Sequence, residues 1–234
     1  MYQLASPIDL GLHSFIATSE GEKVDCPKYF RKKQKALARS QRAMARKKKG
    51  SNNRNKQRIK VAKIHADIAN QRKDFLNKLS TKLVKENDVI YTETLKSANM
   101  MKNHKLAKSI GDASWFMFIN MLSYKCDLYG KQLVKIGQFE KSTGVCNCGY
   151  KTKLKLEERK WKCPKCGQEH DRDVQAAIII KQIGEGNPRI YDYGEIANTN
   201  EKSLASELVE VVIGQGLNVN DLAMTGETSS FRAG

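Results

Sequence analysis

Apolar and polar positions alternate over short distances at the start of this chain and with longer periods further in. Residues 4–11 form a short apolar stretch interrupted by Pro7 and Asp9. Residues 13–18 form a second one, and Ser19-Glu20-Gly21-Glu22 reads as a turn. This pattern predicts two strands and the start of a third in a meander. Gly50 and the asparagines up to Asn55 then split a long polar segment into two helices, the second carrying Val61, Ile64, Ile68, Phe75, Leu76, Leu79 and Leu83 at helical spacing. Asp88-Val89-Ile90-Tyr91-Thr92-Glu93 is a β-prone run that ends in a carboxylate. Residues 106–130 predict one helix with Trp115, Phe116, Phe118, Met121 and Leu122, a stripe that reads as core packing rather than as a platform for bases. Residues 133–139 predict a further strand, and residues 174–183, free of proline and glycine, a buried helix. Beyond residue 184 the pattern fades into an acidic stretch with a possible short helix at 203–213, expected to be a flexible tail.

Charge sharpens this picture. The 234 residues carry a net charge of +17, yet residues 185–234 hold 3 basic and 8 acidic side chains, which leaves 39 basic against 17 acidic, or +22, on residues 1–184. Such an excess favours a nucleic-acid partner. Residues 31–63 contain 15 lysines and arginines and no acid. Like charges three or four positions apart destabilise a free helix, and phosphates would relieve that cost. Arg39, Arg42, Arg46, Lys47, Lys48, Lys49, Arg54, Lys56, Arg58 and Lys60 are therefore the candidate nucleic-acid contacts. His104, in a lysine-rich loop, is expected to face solvent or phosphate. No apolar run approaches the roughly 20 residues of a membrane span, and no signal peptide is visible.

The candidate chemistry lies between residues 143 and 183. Cys163-Pro164-Lys165-Cys166-Gly167 is a metal knuckle, and Cys146-Asn147-Cys148-Gly149-Tyr150 supplies a second thiolate pair 14 residues upstream. Four cysteines at this separation predict a structural zinc ribbon, in which the one-residue spacing between Cys146 and Cys148 tightens the chelate loop. Lys151, Lys153, Lys155, Lys160, Lys162 and Lys165 surround them, whereas Cys26 and Cys126 have no spaced partner. Reduced thiols imply a cytoplasmic, nucleoid-associated setting. After the ribbon, Asp171 and Asp173 flank Arg172 ahead of the last helix; one carboxylate can cap that helix and the other can serve a divalent metal. Asp9 among apolar strand residues is costly unless it is paired or metal-bound. Glu93 ends the β-prone run.

The runs Ser142-Thr143-Gly144-Val145-Cys146 and Cys166-Gly167-Gln168-Glu169-His170-Asp171-Arg172-Asp173-Val174 closely resemble the C-terminal half of the insertion-sequence OrfB (TnpB) family. Ile8-Asp9-Leu10-Gly11-Leu12 and Met100-Met101-Lys102-Asn103-His104-Lys105-Leu106-Ala107 extend the likeness, which covers residues 1–184. The resemblance implies a RuvC-like, RNase H-type α/β fold: a mixed sheet flanked by helices, with an inserted zinc ribbon, similar to type V CRISPR effectors. It implies Asp9, Glu93 and Asp173 as catalytic acids holding magnesium, Cys146, Cys148, Cys163 and Cys166 as zinc ligands, DNA as substrate and a transposon-derived guide RNA as partner. On this reading residues 1–142 hold the first part of the nuclease core, with the basic helices at 31–86. Residues 143–170 form the ribbon, 171–184 the last motif and helix, and 185–234 the tail.

Four departures from the family pattern stand out. Pro7 replaces a glycine, Thr94 stands at a usual second acid, Gln175 replaces an asparagine, and Met1 lies eight residues before Asp9. The last implies that the family's N-terminal half, which grips guide RNA, is absent or supplied by a separate chain. The alternative to an endonuclease is then a truncated, inactive relic that binds DNA or RNA without guided cleavage.

Overall fold

The computed structural model describes residues 4–155 and 157–186, all within the unit Met1–Tyr191. The acidic stretch from residue 187 and its expected helix at 203–213 lie outside the described residues. The N-terminal meander forms as expected, with β1 (Ala5–Leu10), β2 (Ser14–Thr18) and β3 (Lys23–Asp25) in antiparallel succession. Two later strands, β4 (Val89–Thr92) and β5 (Gln132–Lys135), add to it in parallel, giving a mixed five-stranded sheet of order β3-β2-β1-β4-β5.

Between β3 and β4 run α1 (Tyr29–Ala45) and α2 (Asn52–Glu86). The break between them comes earlier than the asparagines indicate. Ser51 accepts from the Arg54 amide at 3.2 Å and so caps α2 one residue before Asn52, which draws the asparagines into the helix. Between β4 and β5 lie α3 (Ser97–Met100), α4 (Ala107–Ala113) and α5 (Trp115–Tyr129). The single helix expected over 106–130 is thus two, joined at Ser114 in a left-handed conformation (φ 56°). The break lets Ile110, Ala113 and Trp115 bury in one core, and it frees Asp112 to cap α1 from outside. The Asp112 carboxylate accepts from the Phe30 amide at 3.1 Å and from the Arg72 guanidinium at 3.1 Å. Packing here outweighs the roughly 1–2 kcal/mol that a non-glycine residue loses in this conformation. Phe116, grouped with the core stripe in sequence, is 72% exposed, while Trp115, Phe118, Met121 and Leu122 are buried. The strand expected over 133–139 ends at Lys135, and Phe139 stands in solvent.

Two apolar layers cover the sheet. Ile8, Leu10 and Ile90 face α2 and α5 with Leu76, Leu83, Phe118 and Leu122. Val89, Tyr91 and, less buried, Ala5 face the opposite way, onto Ile179, Ile180 and Ile183 of the last helix, α6 (Arg172–Gly184). Gly184 is there for contact: a Cβ on it would lie 2.3 Å from the Tyr91 ring. Gly184→Ala is expected to destabilise the fold by about 1–3 kcal/mol, read from chemical denaturation, because Tyr91 must leave its rotamer.

Pro7 sits inside β1, a central strand, and not at its start as its missing donor would suggest. The Leu4 carbonyl accepts from the Val89 amide of β4, so strand alternation turns the Pro7 nitrogen the other way, toward β2. β2 pairs with β1 only at Ile8, Asp9 and Leu10, so at Pro7 there is no ladder bond to lose.

Candidate carboxylate and cysteine sites

The carboxylates come together through register. β1 and β4 are parallel with Ile8 opposite Thr92, so one step on Asp9 lies beside Glu93 at the C-terminal ends of both strands. The two-residue period that puts Ala5, Val89 and Tyr91 under α6 puts Asp9 and Glu93 on the same face. Asp173 enters from the first turn of α6. Burial, the negative charges of Glu93 and Asp173 and a hydrogen bond with Glu93 hold the Asp9 carboxyl well above the usual carboxylate range, with Arg172 opposing them. Ser142 donates to Glu93 Oε1 at 2.6 Å. Thr94, where the family has an acid, instead donates to the Ile136 carbonyl at 2.7 Å.

Asp171 is the cap that the sequence allowed one of the pair to be: its carboxylate accepts from the Asp173 and Val174 amides. Burial opposes its ionisation, but the Lys23 ammonium at 2.8 Å and the Val174 amide outweigh that and hold its carboxyl below the usual range. Lys23 also lies 3.7 Å from Asp173, and Arg159 lies 3.4 Å from it. The acids are thus accompanied by two cations, both beside Asp173.

The raised Asp9 carboxyl carries a sign. Between the ordinary carboxylate pKa and the raised one, the folded chain keeps a proton that the unfolded chain has lost, so stability falls as pH rises through that window. Asp9→Asn is expected to raise the melting temperature of metal-free protein at neutral pH by about 2–4 °C per kcal/mol of relieved repulsion. Added magnesium should then stabilise the wild type but not the variant. A variant that melts below wild type without metal would show that Asp9 is not under repulsion.

The four cysteines converge as well. The Sγ atoms of Cys146, Cys148, Cys163 and Cys166 all lie within 4.8 Å of one another, with Cys146 to Cys166 at 3.5 Å and Cys148 to Cys163 at 3.7 Å. A tetrahedral zinc ion with bonds near 2.3 Å spaces its sulfurs by about 3.8 Å. The one-residue spacing therefore does not keep the first pair from a tetrahedral arrangement, and the donor set fits zinc. Burial pushes the Cys146 thiol up to about 12, whereas at Cys163 the same burial is outweighed by backbone amides of Cys166 and Lys165, which hold it at about 7. Gly144, at φ 77°, passes so close to the Thr152 carbonyl that a Cβ would lie 2.4 Å from it. The second pair sits on a two-stranded hairpin of β6 (Lys160–Lys162) and β7 (Glu169–Asp171), which runs directly into α6. All six lysines around the cysteines are exposed.

Sequence reasoning gave no role to the residues that tie these parts together. His170 is buried against the Trp161 ring with Nε2 3.1 Å from Cys146 Sγ, and burial lowers its pKa. Gln175, also buried, donates to the Val145 carbonyl at 3.1 Å and to Asn147 Oδ1 at 2.9 Å. The local signal available was a polar residue within an apolar helix, at 175, and a histidine beside the knuckle.

In the basic hairpin α1 and α2 run antiparallel, held by Gln57 to Ser40 at 2.8 Å and Lys33 to Asp67 at 2.9 Å. Arg39, Arg42, Arg46, Lys48, Lys49, Lys56, Arg58 and Lys60 are exposed. Lys47 and Arg54 are half-buried, and Arg54 is engaged within the fold, its guanidinium donating to the Met44 carbonyl at 3.1 Å at the end of α1. Among the described residues none of the ten pairs with a carboxylate, so nothing described relieves their mutual repulsion. His104 is exposed, as expected. Among the described residues no helix is long and apolar enough to cross a membrane.

The described residues thus define a mixed α/β protein with neighbouring acids, a four-cysteine hairpin and a basic helical arm. Residues 3–104 match the OrfB_IS605 family model, described as "Probable transposase", and residues 115–180 match the Cas12f1-like TNB domain. The chain is 48% identical over 179 residues to a "Putative RNA-guided DNA endonuclease" of Streptomyces pristinaespiralis, covering 76% of this chain and 44% of that protein. It is 33% identical over 193 residues to "Putative RNA-guided DNA endonuclease InsQ" of Escherichia coli (strain K12), covering 76% of this chain and 48% of that protein. These matches make the chain similar to the OrfB (TnpB) transposase family, and it spans a little under half the length of these curated relatives. Among solved structures, a CRISPR-Cas12f ternary complex superposes with a TM-score of 0.57 at 18% identity, over 76% of this chain and 38% of that one. A Cas12f1-sgRNA-target DNA complex gives 0.53 at the same identity. At that identity the likeness shows the fold alone.

Proposed function

We propose that this chain is the nuclease-bearing part of a transposon-encoded, TnpB-like DNA endonuclease with a RuvC-like, RNase H-type core, and that an RNA guide directs it, as the names of its relatives say of them. The observation that carries the reading is the in-register parallel pairing that sets Asp9 beside Glu93, with Asp173 close enough to raise the Asp9 pKa. Asp9, Glu93 and Asp173 would hold magnesium, which supplies activation of a water and stabilisation of the leaving oxygen of a phosphodiester. Around them, Ser142 orients Glu93, Asp171 caps α6, and Lys23 and Arg159 bring positive charge beside Asp173, where a phosphate would approach. The basic hairpin and the ribbon lysines would hold the DNA or RNA backbone. That Glu93 and Asp173 lie near enough to raise the Asp9 pKa favours the endonuclease reading over the relic, because uncompensated repulsion between carboxylates costs stability unless a bound cation relieves it. The decisive test is loss of magnesium-dependent cleavage in Asp173→Ala.

The cysteine cluster would hold zinc through Cys146, Cys148, Cys163 and Cys166. Purified protein is expected to carry a single zinc per chain, and chelation should unfold the β6–β7 hairpin while the five-stranded sheet, with its own apolar layers, stays folded. Because the sulfur distances already suit a tetrahedron, inserting a residue after Asn147 should not tighten zinc binding. Tighter binding by the insertion variant in a chelator competition would show strain in the native loop.

A further inference from the structure

The cysteine hairpin is rooted in the carboxylate site at both ends. At its first root, Ser142 is buried with its hydroxyl 2.6 Å from Glu93, and three residues later Val145 is fully buried in the core layer beside Ile179 and Ile180 of α6. Within the chelate loop, Asn147 lies between Cys146 and Cys148 and accepts from Gln175, whose amide also reaches the Val145 carbonyl. Gln175 is two residues after Asp173, on the same first turn and a half of α6. At its second root, β7 ends at Asp171, which caps α6 two residues before Asp173. The connections from the thiolates to the acids are thus short and contiguous, running through buried Ser142, Val145 and Gln175 and reaching the chelate loop at exposed Asn147, a network of the kind that transmits a local change.

We infer that the four-thiolate site is a positioning element for the carboxylate site, acting through Ser142 on Glu93 and through Gln175 on Asp173. Metal in the thiolates holds the 142–148 loop in one conformation; that loop holds a carboxylate from one side and the helix bearing another from the opposite side. The inference rests on the carboxylates being a divalent-metal site, so its test reads geometry and metal affinity rather than cleavage.

The full-length protein should be compared zinc-loaded and zinc-stripped, with zinc measured by atomic absorption and Mn²⁺ affinity by electron paramagnetic resonance. Stripping zinc is expected to weaken Mn²⁺ binding about tenfold, the size of losing a hydrogen bond to a charged group. Zinc-loaded Gln175→Ala should show part of this loss, and stripping zinc from that variant should add only the part that runs through Ser142. Ser142→Ala should weaken Mn²⁺ binding likewise, and Ser142→Thr, which keeps the hydroxyl, should restore it. Amide hydrogen exchange at 92–95 and 172–177 reads the coupling without a divalent ion, and both segments should lose protection together when zinc leaves. Unchanged protection there, or Mn²⁺ affinity indifferent to zinc, would overturn the inference. A protein that binds no Mn²⁺ in either state would sink the nuclease reading, while the exchange result would still decide this one.

Discussion

Asp173→Ala is expected to abolish magnesium-dependent nicking of single-stranded DNA, a loss of roughly a thousandfold or more, since a metal clamp supplies several kcal/mol of transition-state stabilisation. Asp173 is the acid brought in by a helix rather than a strand; its ion-pair partners Lys23 and Arg159 are cations, and Asp171 is committed to the α6 amides and to Lys23. Asp171→Ala is the matched control. It removes the cap and an ion pair, and should cost about 1 kcal/mol of stability while leaving the cleavage chemistry largely intact. Gel-based nicking and thermal melts on both variants separate the two roles. Equal nicking by Asp173→Ala and wild type would end the assignment.

Affinity for nucleic acid is expected to fall steeply with salt, by roughly a thousandfold or more between 50 and 200 mM if six or more phosphates are neutralised. Eight of the ten candidate cations stand exposed on α1, α2 and the turn between them with no carboxylate partner among the described residues, so each is free to displace a counterion. Replacing Lys47, Lys48 and Lys49 by alanine should flatten the log–log slope by about 2–3 without changing sequence preference, because phosphate contacts position a protein and carry no base information. Arg54→Ala should behave differently, since its guanidinium closes the end of α1: stability should drop along with any loss of binding. Filter binding across a salt series measures the slope. Binding indifferent to salt would remove the basic hairpin from the interface.

How far the chain could be read in advance depended on how local each feature is. The meander needs only two-residue alternation and a turn, and the start of α6 needs only an aspartate with free amides two and three residues on; both are contained in a few consecutive positions. The helical period of Ile68, Leu76, Leu79 and Leu83 likewise announced the buried side of α2. The break at Ser114 was not visible, because it answers to Asp112 capping a helix some eighty residues earlier and to three residues sharing one core. The end of β5 at Lys135 was missed for a related reason: Ile136 is buried beside α6 although it is not in the strand.

Residue chemistry pointed to four cysteines with chelating spacing, an acid among apolar strand residues, an aspartate pair before the last helix and an unbalanced basic arm, and the family resemblance added Glu93 and chose Asp173. Each pattern is a matter of composition within a short window, and the physics of thiolates, buried carboxylates and like charges applies whatever the fold. Only the tertiary structure decided which of these meet. Asp9 and Glu93 become neighbours through a parallel register, which no local pattern encodes because a long crossover separates the strands. The hydrogen bonds from Ser142 to Glu93 and from Gln175 to Asn147 exist because the hairpin folds back over the sheet end and α6 crosses it, so serine, glutamine and histidine side chains that look ordinary in sequence become the supports of both sites.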